Sequence, residues 1–503
     1  MTTLKSKILD ISTRSRLILL NTEKAEQLGI TTHDRVKLTK DEYSVSAIVN
    51  TSETFVGCEE VGVFLDTAKE LKIAEGDMVT VNLLPPPTSI QFIRKKMRGE
   101  KLAKEEIDSI IKDTVDRTLS DIEITAFVTG EQHYGMDMDE VEALTRAMVS
   151  HGETIDFERP VFDKHSLGGI PGNKVTLLIV PIVAAAGLLI PKTSSRAITS
   201  PSGTADTMCA LAPVEFSASE LKKIVNKTNG AIIWGGSLNL APADDIFIGV
   251  EYPLQIDPEP QMLASIMAKK LAVGTDYLVL DLPVGHEAKV ETAEQARSIS
   301  NKLIELGQRL GVKVKCGITY GGQPVGYSVG PALEAREALL ALEGRGPSSL
   351  VEKSTALAGL LFEVAGKAVR GKGQDLAKEI LASGKALAKM REIIEAQGGN
   401  PQVKPEELRV GTHRAEILAP FDGYITRVSN RAISAIARAA GAPLERGAGL
   451  IFHGKEGHKV EKEEKMLEIY AERESKLEEA YQLALKLKPM TLEGMLLQEI
   501  PEV

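Results

Sequence analysis

Between residues 160 and 330 the chain alternates short apolar runs with stretches of helical period, and that alternation leaves few folds open. The runs "PVFD", "AIIW", "YLVLDL" and "VKVKC" read as strands bounded by glycine-rich loops. Parallel strands need crossovers long enough to hold a helix, so strands alternating with helices argue for a largely parallel sheet with helices around it. The central expectation is an α/β domain with a mixed, mostly parallel sheet.

The flanking regions follow other patterns. In the first 85 residues Ala25, Leu28, Ile30, Asp34, Val36 and Leu38 recur as Ala68, Leu71, Ile73, Asp77, Val79 and Val81, an offset of 43. Each copy reads as a short helix, a turn and a strand. A duplicated unit buries its apolar face against its twin, which predicts a small pseudo-symmetric barrel over residues 1–85. "LLPPPTS" then stops regular structure. Residues 88–155 read as helices, with Ile107, Ile110, Ile111, Val115 and Leu119 on one face and Val141, Leu144 and Met148 on another. Asp137 and Glu140 have capping-box spacing. A segment near 244–275 is expected to join this helical domain, leaving 160–243 and 276–405 to the α/β domain. Residues 410–503 read as a small α+β domain closed by the amphipathic stretch "AERESKLEEAYQLALKL".

Bulk properties exclude several classes. At 503 residues, 43% hydrophobic and 26% charged, the chain can bury about three or four cores. A net charge of −10, with no isolated basic run, gives no footprint for nucleic acid. Cys58, Cys209 and Cys316 lie too far apart for a disulfide framework or a zinc spacing, and no histidine pattern suggests a metal. The start "MTTLKSKILD" lacks the apolar core of a signal peptide. The apolar run at 175–190 is broken by Pro181 and too short to span a bilayer comfortably. The expectation is a cytoplasmic protein with no membrane partner and no cofactor.

The stretch "DKHSLGGIPGNKVT", residues 163–176, resembles a nucleotide P-loop at first sight. A P-loop needs glycine before its lysine and a hydroxyl residue after it, whereas Asn173 and Val175 flank Lys174. Lys164, His165 and Ser166 fall where "PVFD" ends, and Gly168, Gly169 and Gly172 carry the chain to a helix expected near Asn173. Ligands of parallel sheets bind beyond the carboxyl ends of strands, so Lys164, Ser166 and the loop N–H groups make an anion site. The bland alternative is a glycine-rich turn with a surface lysine. A second segment, "KTSSRAITSPSGTAD", favours the anion by packing seven hydroxyl residues around Lys192 and Arg196.

Several motifs now stand in one order: "KHSLGG", "SSRAITSPSGTAD", "LAPAD", "ASIMAKKLA" and "GGQPVGYSVGPALEAREAL". From about residue 89 to the C-terminus the chain resembles the thymidine and pyrimidine nucleoside phosphorylase family. The resemblance implies a sheet domain that holds inorganic phosphate and a helical domain facing it across a cleft. Lys164, Ser166, Ser194 and Thr204 would hold phosphate, while His165, Ser265 and Lys269 would line the base side. Phosphate would attack the sugar C1′ as the base departs, with no metal and no cofactor. A homodimer core is implied, with room for a larger homo-oligomer.

Departures from the family pattern bear on substrate. Glu251 and Tyr252 stand where pyrimidine enzymes place an arginine, and an acidic acceptor suits the exocyclic amine of adenine. Added hydroxyls beside Arg196, together with Lys289 in "VGHEAKV", suit a second phosphate on the 5′ carbon. These features resemble the archaeal AMP phosphorylase branch, which also carries a double-psi-like N-terminal barrel. That branch implies conversion of AMP and phosphate to adenine and ribose 1,5-bisphosphate, in nucleotide salvage. Gly168, Ser194, Ser195, Arg196, Ala197, Ile198, Thr199, Thr204, Ser265 and Lys289 would then touch substrate, and Asp257 would protonate the leaving base. Asp257 followed by Pro258 is equally a helix-start signal, so its carboxylate has two claims on it. The alternatives are a pyrimidine nucleoside phosphorylase with an altered pocket and, more remotely, a non-catalytic adaptor.

Overall fold

A computed structural model describes residues 2–13, 15–197 and 200–496, and its chain divides into two compact units, Met1–Glu153 with Ala241–Lys269, and Thr154–Leu240 with Lys270–Val503. Among the described residues no helix is long and apolar enough to cross a membrane.

The first unit opens with a closed barrel of six strands, Thr2–Leu9, Leu17–Asn21, Arg35–Lys40, Tyr43–Ser52, Glu60–Phe64 and Met78–Leu84. The duplication is visible down to single bonds. Helix Thr22–Leu28 recurs as Leu65–Leu71, and the caps that follow, Gly29 and Lys72, are both left-handed. Asp34 accepts the Thr31 N–H at 2.7 Å, and its counterpart Asp77 accepts that of Ala74 at 2.8 Å. The parallel register Lys5↔Glu60 reappears as Leu17↔Ile48, and the antiparallel ladder between the third and sixth strands includes Leu38↔Val81, two residues that are themselves repeat mates. All six ladders of the barrel join one copy to the other. Val36, Leu38, Val79 and Val81, read from the repeat as its apolar face, are buried inside.

Helices Ser89–Met97, Lys104–Val115, Asp121–Tyr134 and Met138–Ser150 complete the N-terminal part of this unit, joined by Pro242–Leu254 and most of Glu259–Ala272. Ile107, Ile110 and Ile111 are buried as the helical period requires, and Asp137 caps its helix through the N–H groups of Asp139 and Glu140. Phe127 and Phe247 pack with ring centroids 6.0 Å apart, tying the later helices to the earlier ones.

The second unit holds three parallel strands in the order Lys313–Tyr320, Thr275–Val284, Val161–Ser166, with a parallel pair Ile190–Ser194 and Gly230–Trp234 attached by a bridge from Val161 to Leu189. The apolar run at 175–190 supplies helix Thr176–Ala185, buried on every side in the largest core. The sequence placed this helix near Asn173. It begins at Thr176 because Gly172, at φ +70°, and two further residues are spent on a turn that points Lys174 inward. The C-terminal part has one sheet of His413–Leu418, Lys465–Ala471 and Gly449–Phe452 extended by Ser328–Val329, and a second of Gly423–Val428 with Lys459–Val460 and Met490–Glu493. The three cysteines are free.

Candidate active site

Strand Val161–Ser166 runs three residues beyond "PVFD", so Lys164, His165 and Ser166 belong to the sheet and not to the loop. Side chains alternate across a strand, which sends Lys164 and Ser166 to one face and Asp163 and His165 to the other. The paired strand sets Asp281 opposite Ser166. Asp281 is fully buried and accepts hydrogen bonds from Ser166 Oγ at 2.7 Å and Thr319 Oγ1 at 2.5 Å, with Lys353 Nζ at 3.2 Å and Lys164 Nζ at 3.9 Å. Asn173 donates to Ser166 Oγ at 2.9 Å, tying the loop back to the strand.

Asp163 is the second hub. Lys270 reaches it at 2.6 Å and Lys192 at 3.5 Å, and it accepts the Lys164 N–H at 2.7 Å. Burial opposes ionisation of both aspartates, and the lysines overcome it: Lys192 and Lys270 hold Asp163 below the usual carboxylate range, and Lys353 and Lys164 do so for Asp281. Burial also pushes the lysines down, Lys164 to about 8 and Lys192 well below its ordinary value. Four buried lysines face two aspartates. With all six groups charged, two positive charges remain for an anion to neutralise.

The loop that follows is glycine by necessity. Gly168 and Gly169 have φ of +81° and +85°, and a Cβ on Gly172 would lie 2.7 Å from the Val325 carbonyl oxygen. Lys174, the lysine of the P-loop comparison, is wholly buried against Glu337 at 2.6 Å and the carbonyls of Val325 and Ser328. It is a structural clamp.

In the hydroxyl-rich segment Ser194 ends its strand and Thr204 starts the helix Thr204–Cys209. Asp206 pins the turn by accepting the N–H groups of Ala197 at 2.7 Å and Gly203 at 3.0 Å. Arg196 contacts Asp206 at 3.2 Å and Glu215 at 2.7 Å and lies 5.0 Å over the Trp234 ring, so its guanidinium is already engaged. Ser195 and Lys289 are exposed, and the Lys289 backbone lies 3.2 Å from where a Gly169 Cβ would be. Ile198 and Thr199 lie outside the described residues.

Of the expected base-side residues, His165 lies on strand Val161–Ser166 of the second unit, and Ser265 and Lys269 lie in the first. Ser265 and Lys269 are one helical turn apart on Glu259–Ala272, both half-buried. Lys269 pairs with buried Asp244, of "LAPAD", at 2.5 Å. Burial works against its charge, but Asp244, Asp245 and Glu251 raise it above the ordinary lysine value. Glu251, noted in the sequence as an acidic replacement, thus acts electrostatically on Lys269 and also helps burial raise Glu131, which is fully buried. Asp257 is exposed, two residues ahead of its helix. Sequence reading left Asp163, Asp281, Lys270 and Lys353 without roles. A pair of adjacent lysines in "ASIMAKKLA" was the one available signal.

Residues 158–387 match the model of the glycosyl transferase family a/b domain, residues 90–152 that of its helical bundle domain, and residues 424–489 the pyrimidine nucleoside phosphorylase C-terminal domain. Anthranilate phosphoribosyltransferase from Thermus thermophilus has a similar fold, with a TM-score of 0.51 and 21% identity over 61% of this chain and 98% of that one. The chain is 51% identical to the AMP phosphorylases of Thermococcus kodakarensis and Pyrococcus furiosus, and 50% identical to that of Methanocaldococcus jannaschii, in each case over 99% of both chains. Such identity takes in the N-terminal barrel as well as the phosphorylase domains, and the chain belongs to the AMP phosphorylase family.

Proposed function

We propose that the protein catalyses phosphorolysis of AMP, giving adenine and ribose 1,5-bisphosphate. The observation that carries this most directly is the surplus of buried lysine charge at the end of strand Val161–Ser166, which an inorganic phosphate dianion completes. Lys164, Ser166, Ser194 and Thr204 hold that phosphate. One of its oxygens bonds to C1′ as the bond from C1′ to N9 breaks, and the electron pair enters the purine. Asp257 acts as the general acid that delivers a proton to N7. Its exposed position ahead of Glu259–Ala272 leaves the carboxyl accessible to a nucleotide.

Ser265, Lys269 and His165 orient the base and sugar. Lys289, with Gly168, Ser195, Ala197, Ile198 and Thr199, receives the 5′-phosphate, and Arg196 joins it by exchanging an acidic partner for the phosphate. In this reading the barrel is double-psi-like, the core is a homodimer, and the enzyme works in the cytoplasm.

Incubation with AMP, CMP or UMP and inorganic phosphate, followed by identification of free base and sugar phosphate, tests the reading. Adenine with ribose 1,5-bisphosphate is expected, and only when phosphate is present. Thymine released from thymidine in preference to adenine from AMP would replace this reading with the pyrimidine one. No base release from any substrate would sink both.

A further inference from the structure

A second group of cations in the same unit, at the carboxyl end of strand Lys313–Tyr320, meets the phosphate cluster only at Lys353. A cavity of about 570 Å³ lies there, within the size range of small-molecule sites. Lys353 and Lys455 line it. The Lys353 side chain is 8% exposed, and its amine faces Asp281 at 3.2 Å without a well-formed hydrogen bond. Lys455 is equally buried, donates to the Pro324 carbonyl and lies 5.1 Å over the Tyr327 ring. Burial pushes its amine down to about 8, as expected of a cation short of counter-charge.

Three further features favour an anion. Ser348 and Ser349 line the cavity at the start of the 17-residue helix Ser348–Val364, whose first turn has no side-chain cap and so directs uncompensated N–H groups outward. Of the two acids on the wall, Glu456 is occupied by the Tyr320 hydroxyl and the Val428 N–H, and Glu352 is exposed. The place is also where a parallel sheet binds ligands, beyond the carboxyl ends of its strands.

We propose that this cavity binds a phosphoryl group, that of a small phosphate monoester, between Lys353, Lys455 and the first turn of Ser348–Val364. Pro324, Val325 and the Tyr327 ring supply apolar walls that free phosphate would leave unused. The site shares Lys353 with the lysine surplus read for the attacking phosphate, whereas Lys455 and the start of Ser348–Val364 have no part in that reading, and the variants below change only these.

Calorimetry on the full-length protein with ribose 5-phosphate, and separately with inorganic phosphate, counts the sites per chain. Wild type is expected to bind one more ribose 5-phosphate than Lys455→Ala or Ser349→Glu. Ser349 is exposed, and glutamate suits a helix start, so the second variant keeps the fold. The same difference seen only with inorganic phosphate would support the site and identify free phosphate as its occupant. Equal counts in all three proteins with both ligands would overturn the proposal. AMP phosphorolysis measured on the same samples separates the two claims, because an inactive wild type that still shows the extra site would sink the AMP reading alone.

Discussion

The two groups of site residues are built in opposite ways. Around strand Val161–Ser166 the charges are buried, with Asp163 and Asp281 each serving two lysines. On and before helix Glu259–Ala272 the expected residues are exposed or half-buried, and Lys269 pairs with Asp244. The first group is part of the core as much as of the site. Substitutions there should disturb folding and binding together, whereas those in the second should change rate and leave the fold alone.

The largest effect expected from breaking this contrast is on turnover. Asp257→Asn should lower kcat roughly 10²–10⁴-fold with an unchanged denaturation midpoint. Steady-state kinetics with AMP checks this, and near-normal turnover would return Asp257 to a helix-start role. Asp163→Asn strips the counter-charge from Lys192 and Lys270, and removing one partner of a buried pair costs about 3–5 kcal/mol. Urea denaturation should register that loss directly, and a variant as stable as wild type would show the network to be dispensable for folding.

Two smaller effects sharpen the comparison within the second unit. Lys289→Ala should raise KM for AMP about 10- to 100-fold, the worth of a hydrogen bond to a charged group, while leaving adenosine unaffected. Equal losses on both substrates would remove Lys289 from the 5′-phosphate. Lys164, held at about 8 chiefly by burial, should lose its proton as pH rises through that value. KM for phosphate should therefore climb above about pH 8, by about tenfold per unit for one titrating amine. Stability should move the other way. The folded state releases this proton before the unfolded chain does, so between about 8 and the ordinary lysine value the cost of a buried charge falls as pH rises. A flat KM profile up to pH 10 would exclude Lys164 as the titrating group.

Local signals made much of the molecule legible. The offset of 43 gave the barrel, and the glycines after Ser166 gave the loop, because each needs only residues close in sequence or plainly repeated. The strand carrying Lys164 was read too short, since its polar last residues break the apolar pattern while their backbone still pairs with Thr275–Val284. Lys353 left no trace. It lies on a helix where a lysine ordinarily reads as surface, and its partner Asp281 sits on a distant strand. Arg196 was legible as a cation but not as one already engaged, because Asp206, Glu215 and Trp234 meet it only through the fold.

The barrel's ladders carry a further consequence. No strand pairs with another from its own copy of the repeat, so a chain cut between the copies would retain not one rung of sheet in either piece. Half-barrels are therefore not folding intermediates. Only the hairpin of Arg35–Lys40 with Tyr43–Ser52, which straddles the boundary between the copies, pairs residues close in sequence, and the other five ladders each close a longer loop, which makes the barrel a slow-closing module for its size.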